Sequence, residues 1–326
     1  MAPDETGGAI PKPLFARAHT VVVPAEQDRW LIDDLLARQG VAVIGGDPKL
    51  GKSWLAGELA VAIASGEPCL GEFAVRQPGT VLLCSAEGPP WMATDRLRGI
   101  CKYRALALES LPIHVMADRL IRLDLPEDQA LLRSAVETHL PTLLVIDPLT
   151  SFHQADENAV GGLNPILQYL DSLRKASGVT VVIAHHASKK AKGTGGHRLR
   201  GTTALHAWVD SGLYLREQGG ATILTLEQRT GAARGPMILR LVGGDGDHHL
   251  DVDPLNDATD AEPDLKERIV AALAGREVPI ARDALRKVLG VKNSRLTVPL
   301  NELEVEGRLR RDPRGGISLA VPIPAT

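Results

Sequence analysis

Aromatic residues and cysteines are scarce in this chain of 326 residues. Four Trp, three Tyr and three Phe make up 3% of it, which argues against recognition of single-stranded nucleic acid mainly by base stacking. The three cysteines, Cys69, Cys84 and Cys101, are odd in number and lack the spacing of metal ligands. We therefore expect reduced thiols in a cytosolic protein.

Long apolar runs and a strong excess of either charge are also lacking. No run approaches the roughly 20 residues of a membrane span, and the first residues, MAPDETGGAIPKP, lack the apolar stretch of a secretory signal. We expect a soluble, cytoplasmic protein with no membrane partner. A net charge of −3 excludes a uniformly basic nucleic-acid binder but not a local basic patch. A hydrophobic content of 44% excludes a mainly disordered chain.

Apolar runs alternate with amphipathic segments from Trp30 onward. This alternation predicts a parallel sheet that is covered by helices on both faces. The predicted strands are 41–46, 80–86, 142–147 and 179–186, and the predicted helices are 53–64, 91–106, 127–140 and 165–177. After Gly201, strand-like runs joined by Gly-containing turns predict antiparallel strands at the edge of the sheet, over 211–218, 221–229 and 236–244.

Composition divides the chain into four parts. Residues 1–27 are interpreted as an N-terminal tail and residues 28–244 as the α/β domain. Residues 243–263 hold seven acidic side chains and no Lys or Arg, so 245–263 is predicted to be an acidic linker. Residues 264–326 show three helical segments and then a turn and a strand, a pattern typical of a small winged-helix domain.

A glycine-rich motif follows the first predicted strand. Residues 46–53 fit G-x-x-x-x-G-K-S between a strand and a helix, the setting that this phosphate-binding loop requires. Its backbone N–H groups and the positive end of the following helix favour phosphate oxygens. Lys52 is expected to reach the β- and γ-phosphates, and Ser53 to hold Mg²⁺. The alternative is a Gly-rich turn with an exposed lysine. The residues predicted to bind the nucleotide, ATP, are Gly46, Asp47, Pro48, Lys49, Leu50, Gly51, Lys52, Ser53 and Trp54.

Two carboxylates end later strands. Asp147 closes an apolar run in the manner of a Walker B strand, so it is predicted to bind Mg²⁺ through water. Pro148 follows it where a second carboxylate would otherwise supply a general base. Glu87 closes the strand after the P-loop helix and is predicted to orient the attacking water. The alternative for Glu87 is a surface residue in a Gly-Pro turn.

His185 and His186 end another strand. One of them could contact the γ-phosphate at the strand tip. Metal ligation is a competing interpretation, but adjacent strand residues point to opposite faces and chelate poorly. A structural role for His185 also stays open.

These motifs together resemble those of RecA-like ATPases, in particular the RepA-like hexameric helicases of broad-host-range plasmids. The resemblance covers roughly Trp30 to Gly244, in family order. The segments that carry it are 46–56, 85–88, 143–152 with 156–158, 183–190 and 200–215. It implies an α/β RecA-like P-loop NTPase core with a mostly parallel sheet and antiparallel edge strands. RecA-like cores also serve recombinases and regulatory ATPases, so the resemblance is not specific for unwinding.

The resemblance also implies roles for single residues. Lys52, Ser53, Glu87 and Asp147 take the roles given above, and His186 aligns with the γ-phosphate sensor. The segment 226–235 is similar to the part of DnaB-type proteins that carries an arginine finger, so Arg229 would reach the ATP of a neighbouring subunit. Those proteins often have Lys where this chain has Glu227. Arg96 is a second candidate for contact across the interface. The alternative for each arginine is a surface role.

Basic residues cluster in two places suited to DNA. Residues 187–200 follow the His-His strand, and in RecA-like rings such loops face the central channel, so we expect contacts to single-stranded DNA. The alternative is a surface loop, and Arg200 could couple that loop to the nucleotide. Residues 264–326 carry 12 basic and 8 acidic side chains, a net charge of +4, which favours duplex DNA although such domains also bind proteins. The predicted contacts are Lys189, Lys190, Lys192, Arg198, Arg200, Lys292, Arg295, Arg311 and Arg314.

The leading hypothesis is an ATP-hydrolysing, ring-forming DNA motor that translocates on single-stranded DNA. The expected assembly is a homo-oligomer, a hexamer, with a role in DNA replication. The alternative is an ATP-controlled DNA-binding switch, or a regulatory or defence ATPase, without unwinding activity. An open filament in place of a ring also remains consistent with a head-to-tail interface.

Overall fold

The fold is described from a computed structural model of the full chain. The structure describes residues 15–186 except 118, 158 and 160, residues 203–253 except 219, 233 and 245, and most of 265–320. In the last range, the residues left out are 275, 277, 290–295, 297, 298, 301, 305 and 313–315. The chain divides into two compact units, Met1–Asp253 and Pro254–Thr326, which are taken separately below.

The first unit is an α/β structure. Its described strands are β1 Trp30–Ile32, β2 Leu36–Ala37, β3 Val41–Gly46, β4 Val81–Ser85, β5 Ile113–Val115, β6 Leu143–Asp147, β7 Thr180–His186, β8 Ser211–Gln218, β9 Ala221–Gln228, β10 Met237–Val242 and β11 His249–Val252. Its described α-helices are α1 Lys52–Ser65, α2 Pro90–Tyr103, α3 Pro126–His139, α4 Asn164–Ser177 and α5 Thr203–Trp208. Short 3₁₀-helices span Ala18–Thr20, Glu26–Arg29, Leu108–Ser110 and Leu149–Phe152.

Within the described residues, nine strands form one sheet in the order β11-β10-β9-β8-β3-β7-β6-β4-β5. The six strands from β8 to β5 are parallel, and β9, β10 and β11 add an antiparallel edge. The predicted RecA-like α/β fold, with a mostly parallel sheet and antiparallel edge strands, is confirmed. The small pair β1–β2, which the sequence analysis did not predict, lies outside this sheet.

The four central parallel strands, β3, β4, β6 and β7, are buried on both faces. Along β6, Leu143 and Val145 belong to the core that includes Leu59 of α1, whereas Leu144 and Ile146 belong to the core on the opposite face. Because neither face meets water, these strands are continuous apolar runs without alternating polar residues. The helices α1 and α2 cover the first face, and α3 and α4 cover the second.

Glycine is required where β3 passes into the loop before α1. A Cβ atom added to Gly46 would lie 2.7 Å from the carbonyl oxygen of Leu215 on β8. Gly51, directly before α1, has a φ of +87°, in the left-handed region that favours glycine. The two glycines therefore let the chain leave a crowded sheet and enter the helix within a few residues.

The predicted acidic linker over 245–263 is corrected for part of its length. Residues 249–252 form β11, which pairs with β10, for example Leu250 with Leu241. Acidic composition dominates this segment, but Leu250 is buried while Asp251 is exposed, the alternation of a strand with one buried face. The rest of the predicted linker, residues 254–263, lies outside the described residues.

The second unit has a small core of its own. It contains the helices α6 Leu265–Leu273 and α7 Arg282–Leu289. The strands β12 Ile280–Ala281, β13 Leu309–Arg311 and β14 Gly316–Leu319 form an antiparallel sheet in the order β12-β14-β13. Apolar side chains from both helices and the sheet make one cluster. Much of the predicted third helix lies outside the described residues. Across both units, no described helix has the length and apolar character needed to cross a membrane.

A pair of glycine substitutions tests how closely α2 packs against the loop before β11. A Cβ atom on Gly99 would lie 2.8 Å from the backbone oxygen of His248. We expect Gly99→Ala to lower the free energy of unfolding by about 1–3 kcal/mol, because backbone must move, although alanine favours a helix. Urea unfolding followed by circular dichroism measures the change.

Gly57→Ala is the matched control for this prediction. Its new Cβ would meet only the flexible end of Ile100, 3.0 Å from Cδ1. The helix propensity of alanine offsets that contact, so the change should stay within about 1 kcal/mol of zero. If Gly57→Ala lowered the free energy of unfolding as much as Gly99→Ala or more, the close packing of α2 against the loop before β11 would be contradicted.

Candidate active site

Four neighbouring parallel strands bring the predicted site residues to one edge of the sheet. In the order β3-β7-β6-β4, their carboxyl ends carry the P-loop, His186, Asp147 and the turn with Glu87. The register places Gly46 opposite His186, and Ser85 opposite Asp147. Residues that are up to 140 positions apart in the chain therefore meet because the strands are parallel and adjacent.

Lys52 lies inside the P-loop. Its ammonium donates to the backbone oxygens of Gly46, at 3.2 Å, and Asp47, at 3.0 Å, and its side chain is only 6% exposed. Burial lowers the pKa of Lys52, and the negative charges of Glu87, Asp147 and Asp47 partly oppose that shift. A cation held beneath a loop of backbone N–H groups fits the phosphates of a nucleotide.

Asp147 and Ser53 form the candidate Mg²⁺ site. Asp147 is 2% exposed, and the hydroxyl of Ser53 donates to its carboxylate. Burial raises the pKa of Asp147, and the hydrogen bond from Ser53 opposes this shift. A carboxylate and a hydroxyl supply the oxygen ligands that Mg²⁺ prefers, so the residues present fit the ion. The peptide bond from Asp147 to Pro148 is cis.

Glu87, His186 and Arg96 surround the outer part of the site. The Nε2 atom of His186 lies 3.9 Å from Oε1 of Glu87, and both side chains are partly exposed. Arg96 of α2 lines the same cavity, and its positive charge acts on Asp147. Arg96 was predicted as a candidate for contact with a neighbouring subunit, and the structure places it at its own chain's site. Arg96 lies beside the cavity because α2 begins at Pro90, shortly after the turn that carries Glu87.

These residues open into a cavity of about 510 Å³, called the P-loop cavity below. Its other wall comes from the antiparallel strands and was not foreseen in the sequence analysis. Leu239 and Leu241 lie two residues apart on β10, a spacing that places them on one face of the strand. Long-range packing decides which face of the antiparallel strands turns toward the P-loop. The alternation of apolar residues in the sequence therefore could not identify this wall of the cavity. The residues lining the cavity are Pro48, Lys49, Leu50, Gly51, Lys52, Ser53, Trp54, Glu87, Arg96, His186, Thr222, Leu239, Leu241 and Leu250.

The two adjacent histidines separate to opposite faces of the sheet. His186 lines the P-loop cavity, whereas His185 is fully buried on the other side. The Nδ1 atom of His185 is 4.0 Å from Oε1 of Glu157, and that oxygen is 3.3 Å from Nε2 of His153. Because the two rings point apart, they cannot chelate one metal ion together.

Arg229 does not reach the site of its own chain. It follows β9, whose end pairs with the start of β8, so it lies at the amino ends of the parallel strands. Its guanidinium donates to the backbone oxygen of Ala207 and lies 3.7 Å from Oδ1 of Asp210. The side chain is 55% exposed. The arginine and the P-loop therefore occupy opposite ends of one sheet.

Most of the predicted DNA contacts lie outside the described residues. Of these contacts only Arg311 is described, and its Nε lies 3.2 Å from Oε2 of Glu304 in the second unit. An exposed ion pair of this kind contributes about 0–1 kcal/mol, so it holds the arginine only weakly. The contacts outside the described part are Lys189, Lys190, Lys192, Arg198, Arg200, Lys292, Arg295 and Arg314.

The sheet order, the lysine inside the glycine-rich loop and the buried Asp147 beside Ser53 define a P-loop nucleotide-binding protein with a RecA-like core. Comparison with known families agrees with this class. A sequence profile described as an AAA domain matches residues 11–192, more than half of the chain. The chain therefore belongs to this family of P-loop ATPases.

Substitution of Asp147 tests the burial of its charge. Because folding raises the pKa of this carboxyl, the folded state loses stability as pH rises above the ordinary Asp value of 3.8. We expect Asp147→Asn to raise the free energy of unfolding by about 1 kcal/mol at pH 8 and by less at pH 5. Mg²⁺-dependent ATP hydrolysis should be lost. Urea unfolding at the two pH values measures the gain.

Asp171→Asn is the control with the opposite sign. Hydrogen bonds from Lys175 and Arg174 lower the pKa of Asp171, so its charged form stabilises the fold above the ordinary value. Removing that charge should lower stability by about 0.5 kcal/mol at pH 8, and the loss should shrink as the pH falls. If Asp147→Asn also destabilised the protein at pH 8, the burial penalty described for Asp147 would be contradicted.

Proposed function

We propose that this P-loop ATPase is a ring-forming DNA motor that translocates on single-stranded DNA, a helicase of the RepA-like type. The observation that carries the proposal is the junction at the end of β7. His186 faces the P-loop cavity, and the chain continues directly into residues 187–202, where five of sixteen residues are Lys or Arg. A segment suited to the DNA backbone is thus joined to a residue at the nucleotide site.

The positions of the side chains support hydrolysis at this site. Lys52 and the loop N–H groups hold the β- and γ-phosphates and attract the negative charge that develops during transfer. Glu87, at the open side of the cavity, orients a water and accepts its proton. His186, 3.9 Å from Glu87, is placed to contact the γ-phosphate. Mg²⁺, held by Ser53 and Asp147, would neutralise charge on the phosphate oxygens.

A ring or filament would explain the place of Arg229. We infer a head-to-tail assembly in which the amino ends of the strands of one subunit meet the carboxyl ends of the next, since such an interface builds rings or filaments. Arg229 would then enter the P-loop cavity of the neighbouring subunit and stabilise the transition state in trans. Exposure of its side chain supports this role, since its partners Asp210 and Ala207 hold it at the surface.

The second unit favours a further contact with DNA. Its residues 264–326 carry a net charge of +4, whereas residues 1–263 carry −7, with 25 basic and 32 acidic residues. Two helices and a three-stranded antiparallel sheet support the proposal of a winged-helix domain that binds duplex DNA. This charge difference is also what favours the alternative function, an ATP-controlled DNA-binding switch without unwinding activity.

Steady-state ATP hydrolysis separates the motor from the switch. Turnover is measured without DNA, with single-stranded DNA and with duplex DNA. We expect single strands to stimulate turnover strongly, because the basic segment adjoins His186. Glu87→Gln should reduce the stimulated rate by about 10²–10⁴-fold, as loss of a general base does. Glu137→Gln makes the same change on an exposed position of α3 and should leave the rate unchanged.

The basic segment is tested by Lys189→Gln/Lys190→Gln. This variant should bind single strands less tightly, with a salt dependence shallower by about 1.4 in log–log slope for two lost phosphate contacts. Arg17→Gln/Lys175→Gln removes the same charge from exposed positions elsewhere and serves as the control. Turnover that is indifferent to single strands would overturn the motor and leave the switch.

Mixing of two inactive variants tests the trans role of Arg229. Arg229→Ala should reduce turnover by about 10³-fold or more, whereas Arg234→Ala, an exposed arginine in the same segment, should have little effect. Lys52→Ala is inactive but keeps Arg229. An equimolar mixture of Lys52→Ala and Arg229→Ala should recover about a quarter of the normal rate, because about a quarter of the interfaces join an intact P-loop to an intact arginine. No recovery in the mixture would contradict action in trans.

A further inference from the structure

A buried ion pair lies behind the P-loop helix. Glu58 of α1 is 1% exposed, and its Oε2 is 2.5 Å from Nη2 of Arg104, whose side chain is 8% exposed. Arg104 directly follows α2 and also donates through Nη1 to the backbone oxygen of Pro68, at 3.1 Å. The pair thus joins the end of α2 to the middle of α1.

The second oxygen of Glu58 holds a strand of the sheet. Oε1 accepts a hydrogen bond of 2.9 Å from the backbone N–H of Leu250 in β11. Because β11 is the last described strand of its sheet, one side of its backbone has no neighbouring strand to bond. Glu58 therefore supplies the acceptor that a further strand would otherwise provide.

Leu250 connects this contact to the P-loop cavity. Its side chain lines the cavity, and its Cδ2 lies 3.9 Å from the place that a Cβ atom on Gly51 would occupy. Leu250 also pairs in register with Leu241, another lining residue, on β10. The position of β11 therefore decides where the apolar wall stands relative to the P-loop.

Burying a charged pair at this position costs free energy of desolvation. Burial raises the pKa of Glu58, and Arg104 and the N–H of Leu250 oppose that shift. A well-packed apolar pair is often at least as stable as a buried ion pair, but it would offer no acceptor to the N–H of Leu250. The pair is therefore better explained by the placement of β11 than by stability alone.

We propose that Glu58 is a positioning residue for the nucleotide. By holding β11, it keeps the apolar wall of Leu239, Leu241 and Leu250 beside the P-loop and so sets the affinity for the base and sugar. This inference rests on the proposed binding of ATP in the P-loop cavity. The phosphates would contact the loop N–H groups and Lys52, whereas the wall offers them only apolar side chains. Glu58 should consequently affect binding of the base and sugar, and leave binding of the phosphate chain and the chemical step largely unchanged.

Calorimetric titration of the full-length protein with ATP and with inorganic tripolyphosphate, both with Mg²⁺, tests the proposal. Glu58→Ala should weaken ATP binding about tenfold, the equivalent of one lost hydrogen bond to a charged group. Tripolyphosphate affinity and kcat should change less than twofold. Glu58→Gln keeps an acceptor for Leu250, so ATP affinity should stay within about threefold of the unaltered protein.

Two further variants keep the test decisive if Glu58→Ala folds poorly. Leu250→Ala truncates a side chain of the wall itself and should reproduce the selective loss of ATP affinity. Val136→Ala opens a cavity in the core on the opposite face of the sheet and controls for lowered stability alone. Unchanged ATP affinity in both Glu58→Ala and Leu250→Ala, or an equal loss for tripolyphosphate, would overturn the inference. Lys52→Ala tests the site itself: if it still bound ATP normally, the nucleotide assignment would fail instead.

Discussion

Two buried charges of opposite sign, the Lys52 ammonium and the Asp147 carboxylate, constrain the arrangement at the carboxyl ends of the parallel strands. Burial acts against both, lowering the pKa of the lysine and raising that of the aspartate, and each charge partly offsets the effect on the other. Desolvation costs several kcal/mol per ion, so neither group is tolerated without partners. The backbone oxygens of Gly46 and Asp47 and the hydroxyl of Ser53 supply those partners. The sheet, the loop and the first turn of α1 must therefore keep one fixed arrangement.

Strand order converts that constraint into a chemical site. β7 lies between β3 and β6, so His186 stands between the P-loop and Asp147. β4 lies on the far side of β6 and brings Glu87 to the open side of the cavity. Each strand thus contributes a different group to one edge, in an order that the chain does not follow. Gly46 allows this crowding, because its backbone lies too near Leu215 of β8 for any side chain.

Local patterns were sufficient to predict the parallel core. The apolar runs matched the observed strands closely, and the G-x-x-x-x-G-K-S spacing was enough to predict the loop between β3 and α1. The antiparallel wall could not be located in the same way, because Leu250 is held through its backbone N–H by Glu58, which lies 192 positions earlier in the chain. The strand β11 was also not predicted, because the acidic residues that dominate its segment, such as Asp251, lie on the exposed face. The buried face, with Leu250, leaves little trace in the composition. Arg96 lines the P-loop cavity of its own chain because of the direction in which α2 runs. A short sequence motif does not predict the direction of a helix.

The contact between Glu58 and Leu250 fixes how far the ATPase unit extends along the chain. A truncated chain that ended at residue 244, where the run of recognisable strands stops, would lack β11 altogether. The Glu58–Arg104 pair would then lose the N–H that it holds, and the buried Leu239 would lie on an uncovered edge strand. Such a fragment would keep every motif residue from the P-loop to His186 and still lack one side of its nucleotide cavity. A chain that preserves the complete cavity must therefore include β11, beyond the last motif that sequence comparison would recognise.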